Sequence, residues 1–354
     1  MKKGVLLLIA AGLAAASLTC SPTTYVLRAG IEEARILSRR LPIEQVVRDP
    51  ATNGEVRAKL RLVLQARTFA REVLGLDVGD SYTTYSWIDR DTLALVLSAA
   101  YRDRFEPVTW WFPIVGRVPY KGFFSADDAQ DAARDLESEG FDVYVRPTSA
   151  FSTLGWFNDP LLSTLLRYDD VSLVSTVIHE LAHNTLFVPS RVSFNESFAN
   201  FVGDRGAVAF FCGIEGEDGV RCLAAKEQWS DNLLFGRFLT DLITELEAVY
   251  ARTELTPEQR IAMREAVFAR ARERFVREYE PRFSRPGYRG IARMEPNNAR
   301  LIAWRLYYDR LDLFDAALAR HGGDLRTTID AIRSAAAGND GDPFLAVARL
   351  GDTG

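Results

Sequence analysis

His179 and His183, in His179-Glu180-Leu181-Ala182-His183, carry the plainest chemistry in this sequence. On a helix, residues four apart stand one above the other, about 6 Å apart along the axis, so two imidazoles at this spacing can hold one metal ion. Glu180, turned about 100° from His179, can reach a water on that metal without ligating it. The chain contains three histidines, and two of them are in this pentapeptide. The pattern predicts a zinc hydrolase with one Zn2+ ion and Glu180 as general base. Catalytic zinc usually takes three protein ligands and leaves a fourth place to water, so a third ligand is required.

That ligand is not a histidine of the long zincin signature, because Leu186 and Pro189 stand where the signature has glycine and histidine. His321, far downstream before Gly322-Gly323, reads as a residue compensating the dipole at a helix C-terminus. Glu196 is the better choice: after Pro189 and Ser190 the chain turns into a second helix that returns an early carboxylate toward the first. The alternative is that Ser193 and Glu196 form a capping box, with Glu196 tied to its own helix backbone.

The elements that must position these residues follow from the apolar pattern. Val171, Leu173, Val174, Val177, Ile178, Leu181, Ala182 and Leu186 give the histidine segment the broad apolar surface of a buried helix, closed by Pro189. Upstream, Tyr25 to Leu41 is helical in pattern, a second helix begins near Pro42, and Glu55 to Leu74 is a third, stopped by Gly75. From Thr92 to Phe124 branched and aromatic residues broken by Pro107, Pro113 and Gly116 read as short strands and turns. Ala126 to Glu139 is a surface helix, and Phe141 to Arg146 alternates as a strand. Downstream, Trp229 to Tyr250 is a helix, Thr256-Pro257-Glu258-Gln259 caps another, and a last long one spans Asn298 to about Arg320. The expected class is α+β, mostly helical, with a zincin-like core, a small sheet and flanking helices.

Composition narrows the function. With 354 residues, 47% apolar and 26% charged, the chain is of ordinary globular type. A net charge of −5 and the lack of a basic run argue against a nucleic-acid partner. Met1-Lys2-Lys3, the apolar run Val5 to Ala16 and the small residues before Cys20 read as an export signal too short to span a membrane. Cleavage before Cys20 and lipidation of its thiol would anchor the chain to a membrane. However, Ser17 replaces the usual leucine three before the cysteine, and Thr19 stands where glycine or alanine is commoner. The remaining cysteines, Cys212 and Cys222, would pair in an oxidising compartment.

The histidine pentapeptide followed by Phe194-Asn195-Glu196-Ser197-Phe198-Ala199 resembles the bacterial family labelled predicted aminopeptidase, zinc-dependent peptidases of the gluzincin kind. The likeness extends to Tyr25–Pro42, Leu62–Tyr85, Phe112–Phe124 and the segment from Phe151-Ser-Thr-Leu-Gly-Trp-Phe157 through Pro160. The resemblance implies His179, His183 and Glu196 as ligands, Glu180 as catalytic base, and a lipoprotein on Cys20 facing the periplasm. The chain is expected to divide into a signal peptide (1–19), an N-terminal helical layer (20–90), a catalytic core (91–215) and a C-terminal helical region (216–354). In zincins a sheet-edge strand lies beside the metal and takes the peptide substrate by backbone hydrogen bonds; Ala150, Ser152 and Gly155 are the expected edge, the other reading being an interior strand. Tyr307 and Tyr308 are candidates for the oxyanion donor, and Asn297 and Asn298 for substrate contacts. The expected activity is that of an envelope aminopeptidase. The alternatives are an endopeptidase of the same fold, a hydrolase of non-peptide amides, and a non-catalytic lipoprotein with a structural zinc.

Overall fold

Asn53 accepts hydrogen bonds from the amides of Glu55 and Val56 and so starts the first long helix. The computed structural model describes residues 37–88, 94–112, 116–148, 159–337 and 341–351. The expected signal segment, Cys20, most of the helix expected from Tyr25, and Ala150, Ser152 and Gly155 lie outside them. In chain order come β1 (Leu41–Pro42), α1 (Ile43–Arg48), α2 (Gly54–Glu72), β2 (Thr84–Ser86), β3 (Ala94–Ala100), β4 (Trp110–Phe112), β5 (Gly116–Val118), β6 (Lys121–Phe123), α3 (Ala126–Ser138), β7 (Asp142–Thr148) and β8 (Leu161–Leu162). The rest is helical: α4 (Asp170–Thr185), α5 (Val192–Glu215), α6 (Val220–Tyr250), α7 (Pro257–Arg274), α8 (Asn298–Tyr308), α9 (Leu311–Arg320), α10 (Leu325–Ala337) and α11 (Pro343–Gly351). The protein is therefore mostly helical with small sheets, the α+β class expected.

In one sheet β3 is central, antiparallel to β6 and to β7, with Val96 opposite Arg146. The α3 helix covers it through buried Ala129 and Ala133. In a second sheet β2 pairs antiparallel with β1 and parallel with β8. Strand β7 is held from below by a buried ion pair: Arg264 of α7 donates to both oxygens of Asp142, at 2.6 and 3.1 Å. The same carboxylate accepts from the Asn298 amide at 2.9 Å, which ties the start of α8 to the start of β7.

Nearly every apolar side chain of α4 is buried, including Val174, Val177, Ile178 and Leu181 at 0% exposure, so this helix runs through the centre of the main core. Against it lies α5, whose Phe194, Phe198, Phe201 and Phe211 are almost wholly enclosed; each such side chain contributes roughly 1.5–3 kcal/mol by leaving water. The two backbones meet at Gly203. A Cβ there would come within 2.7 Å of the Ser175 carbonyl and 3.0 Å of His179 Cβ. Gly203→Ala is expected to cost about 1–3 kcal/mol by forcing the helices apart. Thermal unfolding checks the loss, and a weakened affinity for zinc would show that the spacing between His179 and the facing helix is what Gly203 protects.

Two expectations are corrected, and one alternative is not seen. The helix expected from Asn298 to Arg320 is two, because the chain breaks at Arg310 in the left-handed region (φ 49°) and restarts as α9. The helix expected from Trp229 begins already at Val220, after a short turn between α5 and α6 bridged by a Cys212–Cys222 disulfide. The Ser193/Glu196 capping box does not form: α5 starts at Val192 without a side-chain cap, and Ser193 Oγ donates instead to Asp309, at 3.0 Å. The Thr256/Gln259 capping box, by contrast, forms as the sequence indicates.

Candidate metal centre

The return of α5 onto α4 depends on one buried side chain. Asn195 accepts from the Val188 amide at 2.8 Å and donates to the Val188 carbonyl at 2.9 Å, so it clamps the turn in which Ser190 takes a left-handed conformation. Glu196, the next residue, is thereby aimed back at the histidines.

There the three side chains converge. His179 Nε2 and His183 Nε2 are 3.3 Å apart. Glu196 Oε2 is 3.4 Å from the first and 3.7 Å from the second. Three donors each about 2.0–2.1 Å from a tetrahedral zinc stand about 3.3–3.4 Å from one another, so the residues fit the ion. His/His/carboxylate donors suit zinc chemically.

Electrostatics favour this arrangement. Burial alone would raise the Glu196 carboxyl, but hydrogen bonds and charge from His179 and His183 hold it well below the usual carboxylate range. Burial alone would lower His179; the hydrogen bond to Glu196 and the charges of Glu180, Glu196 and Asp204 outweigh it and raise its proton affinity. Both shifts favour the charged forms of His179 and Glu196, and a cation entering the site competes with the proton. Nδ1 of His183 is buried and takes no hydrogen bond from a described residue.

Around these residues lie three groups that sequence reasoning missed. Asp204, eight residues beyond Glu196 on α5, is buried and accepts from Ser175 Oγ at 2.5 Å, Gln228 Nε2 at 2.7 Å and Asn232 Nδ2. Its burial raises its carboxyl in spite of those donors. Ser175 is one turn before His179, so Asp204 supports the histidine helix from behind. An acid inside the apolar run of α5 was the available signal. Tyr82 is buried, sits at φ 60°, and its phenol is pushed up by burial and then by the charge of neighbouring Glu180. Nothing in Ser81-Tyr82-Thr83 announced it. Arg146 is the third. On β7 it points to the same side as Asp142 and Tyr144, and the alternation showed a strand but not what that face would meet.

Of the two tyrosines, the structure brings Tyr307 to the site. Its ring lies 6.4 Å from that of His179, stacked at 28°. Burial, and then the charge of Glu196, raise its phenol far above the ordinary value. Its helix is stitched to α5 through Asn200 Nδ2 donating to the Tyr307 carbonyl at 2.6 Å. Tyr308 packs into the core: its ring lies edge-on against Phe235 at 4.9 Å, and its hydroxyl lies 3.2 Å from that of Tyr288. Asn297 and Asn298 are both engaged in the fold. Asn297 caps α8 and donates to the Val143 carbonyl; Asn298, fully buried, donates to the Tyr101 and Arg104 carbonyls and accepts from Tyr250. His321 ends α9, with Nδ1 2.8 Å from the Ala317 carbonyl.

A family profile described as "Putative aminopeptidase" matches residues 24–342, most of the chain. The chain belongs to this family. No curated protein and no solved structure matches it. The family match spans α4, α5 and α8, so every group placed around the three donors falls within it.

Proposed function

We infer that the protein is a zinc-dependent aminopeptidase with a zincin-like core, in which His179, His183 and Glu196 hold one ion. The convergence of three donor atoms within 3.3–3.7 Å of one another, with Glu180 on the adjoining helix position, carries this reading. The family description supports peptide hydrolysis. When bound, the ion would lower the pKa of water and polarise the scissile carbonyl. Glu180 takes the proton of the attacking water and returns it to the leaving amine. No described side chain hydrogen-bonds Glu180, which leaves its carboxylate available to that proton. The Tyr307 phenol, held protonated by its surroundings, donates to the developing oxyanion.

The substrate is a peptide, and its amino terminus defines the exopeptidase. Screening free and N-acetylated peptides with the zinc-loaded protein tests this: hydrolysis restricted to free amino termini is expected. Equal cleavage of blocked peptides would make the enzyme an endopeptidase, and cleavage of neither would remove the peptidase reading. The reading also includes a signal peptide over 1–19 and a lipid on Cys20 holding the enzyme at the periplasmic side of the bacterial envelope. The apolar run before Cys20 and the Cys212–Cys222 disulfide support that location, and metabolic labelling with a fatty acid tests it.

A further inference from the structure

Strand β7 and helix α8 lie against each other in a register set at their common start by Asp142 and the Asn298 amide. With the two-residue period of a strand, Asp142, Tyr144 and Arg146 face the helix in turn. The first is neutralised by Arg264, and the second packs between Arg300 and Trp304. The third, Arg146, meets Tyr307: its guanidinium lies 5.6 Å from the ring centroid, and Nη2 is 3.4 Å from the hydroxyl.

The position of this arginine differs from that of Arg264. It is half-buried, and among the described residues no carboxylate pairs with it. A guanidinium removed from bulk water without an anion keeps most of its donor fork unfilled. Nor does the metal centre neutralise it: once a divalent cation is bound, Glu196 and Glu180 together balance that ion, and the charge of Arg146 is left over. A planar fork beside an aromatic ring matches a carboxylate, which it binds through two parallel hydrogen bonds.

We propose that Arg146 binds a carboxylate of the peptide substrate, so that the enzyme selects short peptides carrying a negative charge close to the bond that is cut. The proposal rests on the peptidase reading above. A peptide extends about 3.3–3.6 Å per residue; the Tyr307 ring is 6.4 Å from the His179 ring and the Arg146 guanidinium 5.6 Å from the Tyr307 ring, so the guanidinium is at most about 12 Å from the histidine. The carboxylate therefore lies within about three residues of the scissile bond, at the C-terminus of a very short peptide or on an acidic side chain. The same positive charge repels a free α-amine, so the amino terminus binds away from it.

The test is binding of small peptides to the zinc-loaded full chain carrying Glu180→Gln, which slows turnover. Calorimetric titration compares tri-alanine with its C-terminal amide, and two amidated tripeptides with a central glutamate or glutamine. A charge-assisted fork predicts at least about a tenfold preference for the charged member of one pair. Preference in the first pair assigns the C-terminal carboxylate, and preference in the second an acidic side chain. Adding Arg146→Met should bring the ratio to within about twofold of one, while Arg146→Lys, which keeps the charge but not the fork, should keep part of it. If the methionine variant does not fold, the lysine variant decides. Equal affinity within both pairs, no binding of any peptide, or an equal loss on all four peptides in the Arg146 variants would overturn the proposal; the last would mean that Arg146 only positions Tyr307. Turnover of the same peptides by the unaltered enzyme separates the two claims. Cleavage without charge preference removes the role of Arg146 alone, and charge-selective binding without cleavage removes the peptidase reading alone.

Discussion

Replacing Glu180 by glutamine is expected to lower peptide hydrolysis by about a hundred- to ten-thousand-fold, the usual contribution of a general base, while zinc stays bound. Glutamine keeps the size of the side chain and its place one residue beyond His179, but it cannot take a proton. The ligand set of His179, His183 and Glu196 is untouched, so metal content measured beside the rate should be unchanged. Loss of rate with retained metal is what separates an enzyme from a scaffold clamped by zinc. A variant that keeps its rate would mean that the proton goes elsewhere.

Replacing Glu196 by alanine should act on the metal. Loss of a group that only supports a ligand commonly weakens affinity by 10–100-fold, and loss of a ligand should weaken it by at least about 100-fold. Chelator competition with the purified variant measures this. Two further effects follow from the charges at the site. Glu196 is held ionised by the histidines, so it never competes for protons at the pH where they do. His179, with its proton affinity raised, takes its proton earlier as the pH falls. Metal loss on acidification should therefore begin above the ordinary histidine range, and it should track His179 and not Glu196. Chelator competition repeated across pH tests that order.

The sequence carried the candidate metal-binding histidines because their chemistry is local. His179, Glu180 and His183 lie within a single helical turn, and the apolar residues around them require that helix to be buried. Glu196 was legible as one of two alternatives. The capping alternative is not seen, since Ser193 donates to Asp309 instead, while the clamp of Asn195 on Val188 brings Glu196 beside the histidines. The other supporting groups were not legible. Arg146 and Tyr307 are 161 residues apart and meet only because Asp142 fixes β7 against α8. Tyr307 and Tyr308 were indistinguishable by type; a rotation of about 100° between neighbours sends one to the histidines and the other to Phe235. The structural part that Asn298 plays was hidden for a related reason. Its polar groups serve the Asp142 carboxylate, two carbonyls of the loop from Tyr101 to Arg104 and the Tyr250 hydroxyl, and residue type alone does not separate such an asparagine from one that faces a ligand.

The break at Arg310 was hidden because the apolar spacing continues across it. The periodicity of Leu301, Ala303, Leu311 and Phe314 is compatible with one helix, whereas close packing of Gly236 against the Tyr308 carbonyl, where a Cβ would come within 3.0 Å, fixes where α8 ends. Gly203 plays the corresponding part at α4 and α5. In both places a missing side chain sets a distance on which the groups around the histidines depend.

The central claim is tested most directly by anomalous diffraction at the zinc absorption edge, from crystals of the protein grown with zinc. The account predicts one strong peak about 2.0–2.1 Å from His179 Nε2, His183 Nε2 and a Glu196 carboxylate oxygen. A peak at other residues, or none between these three, would contradict it.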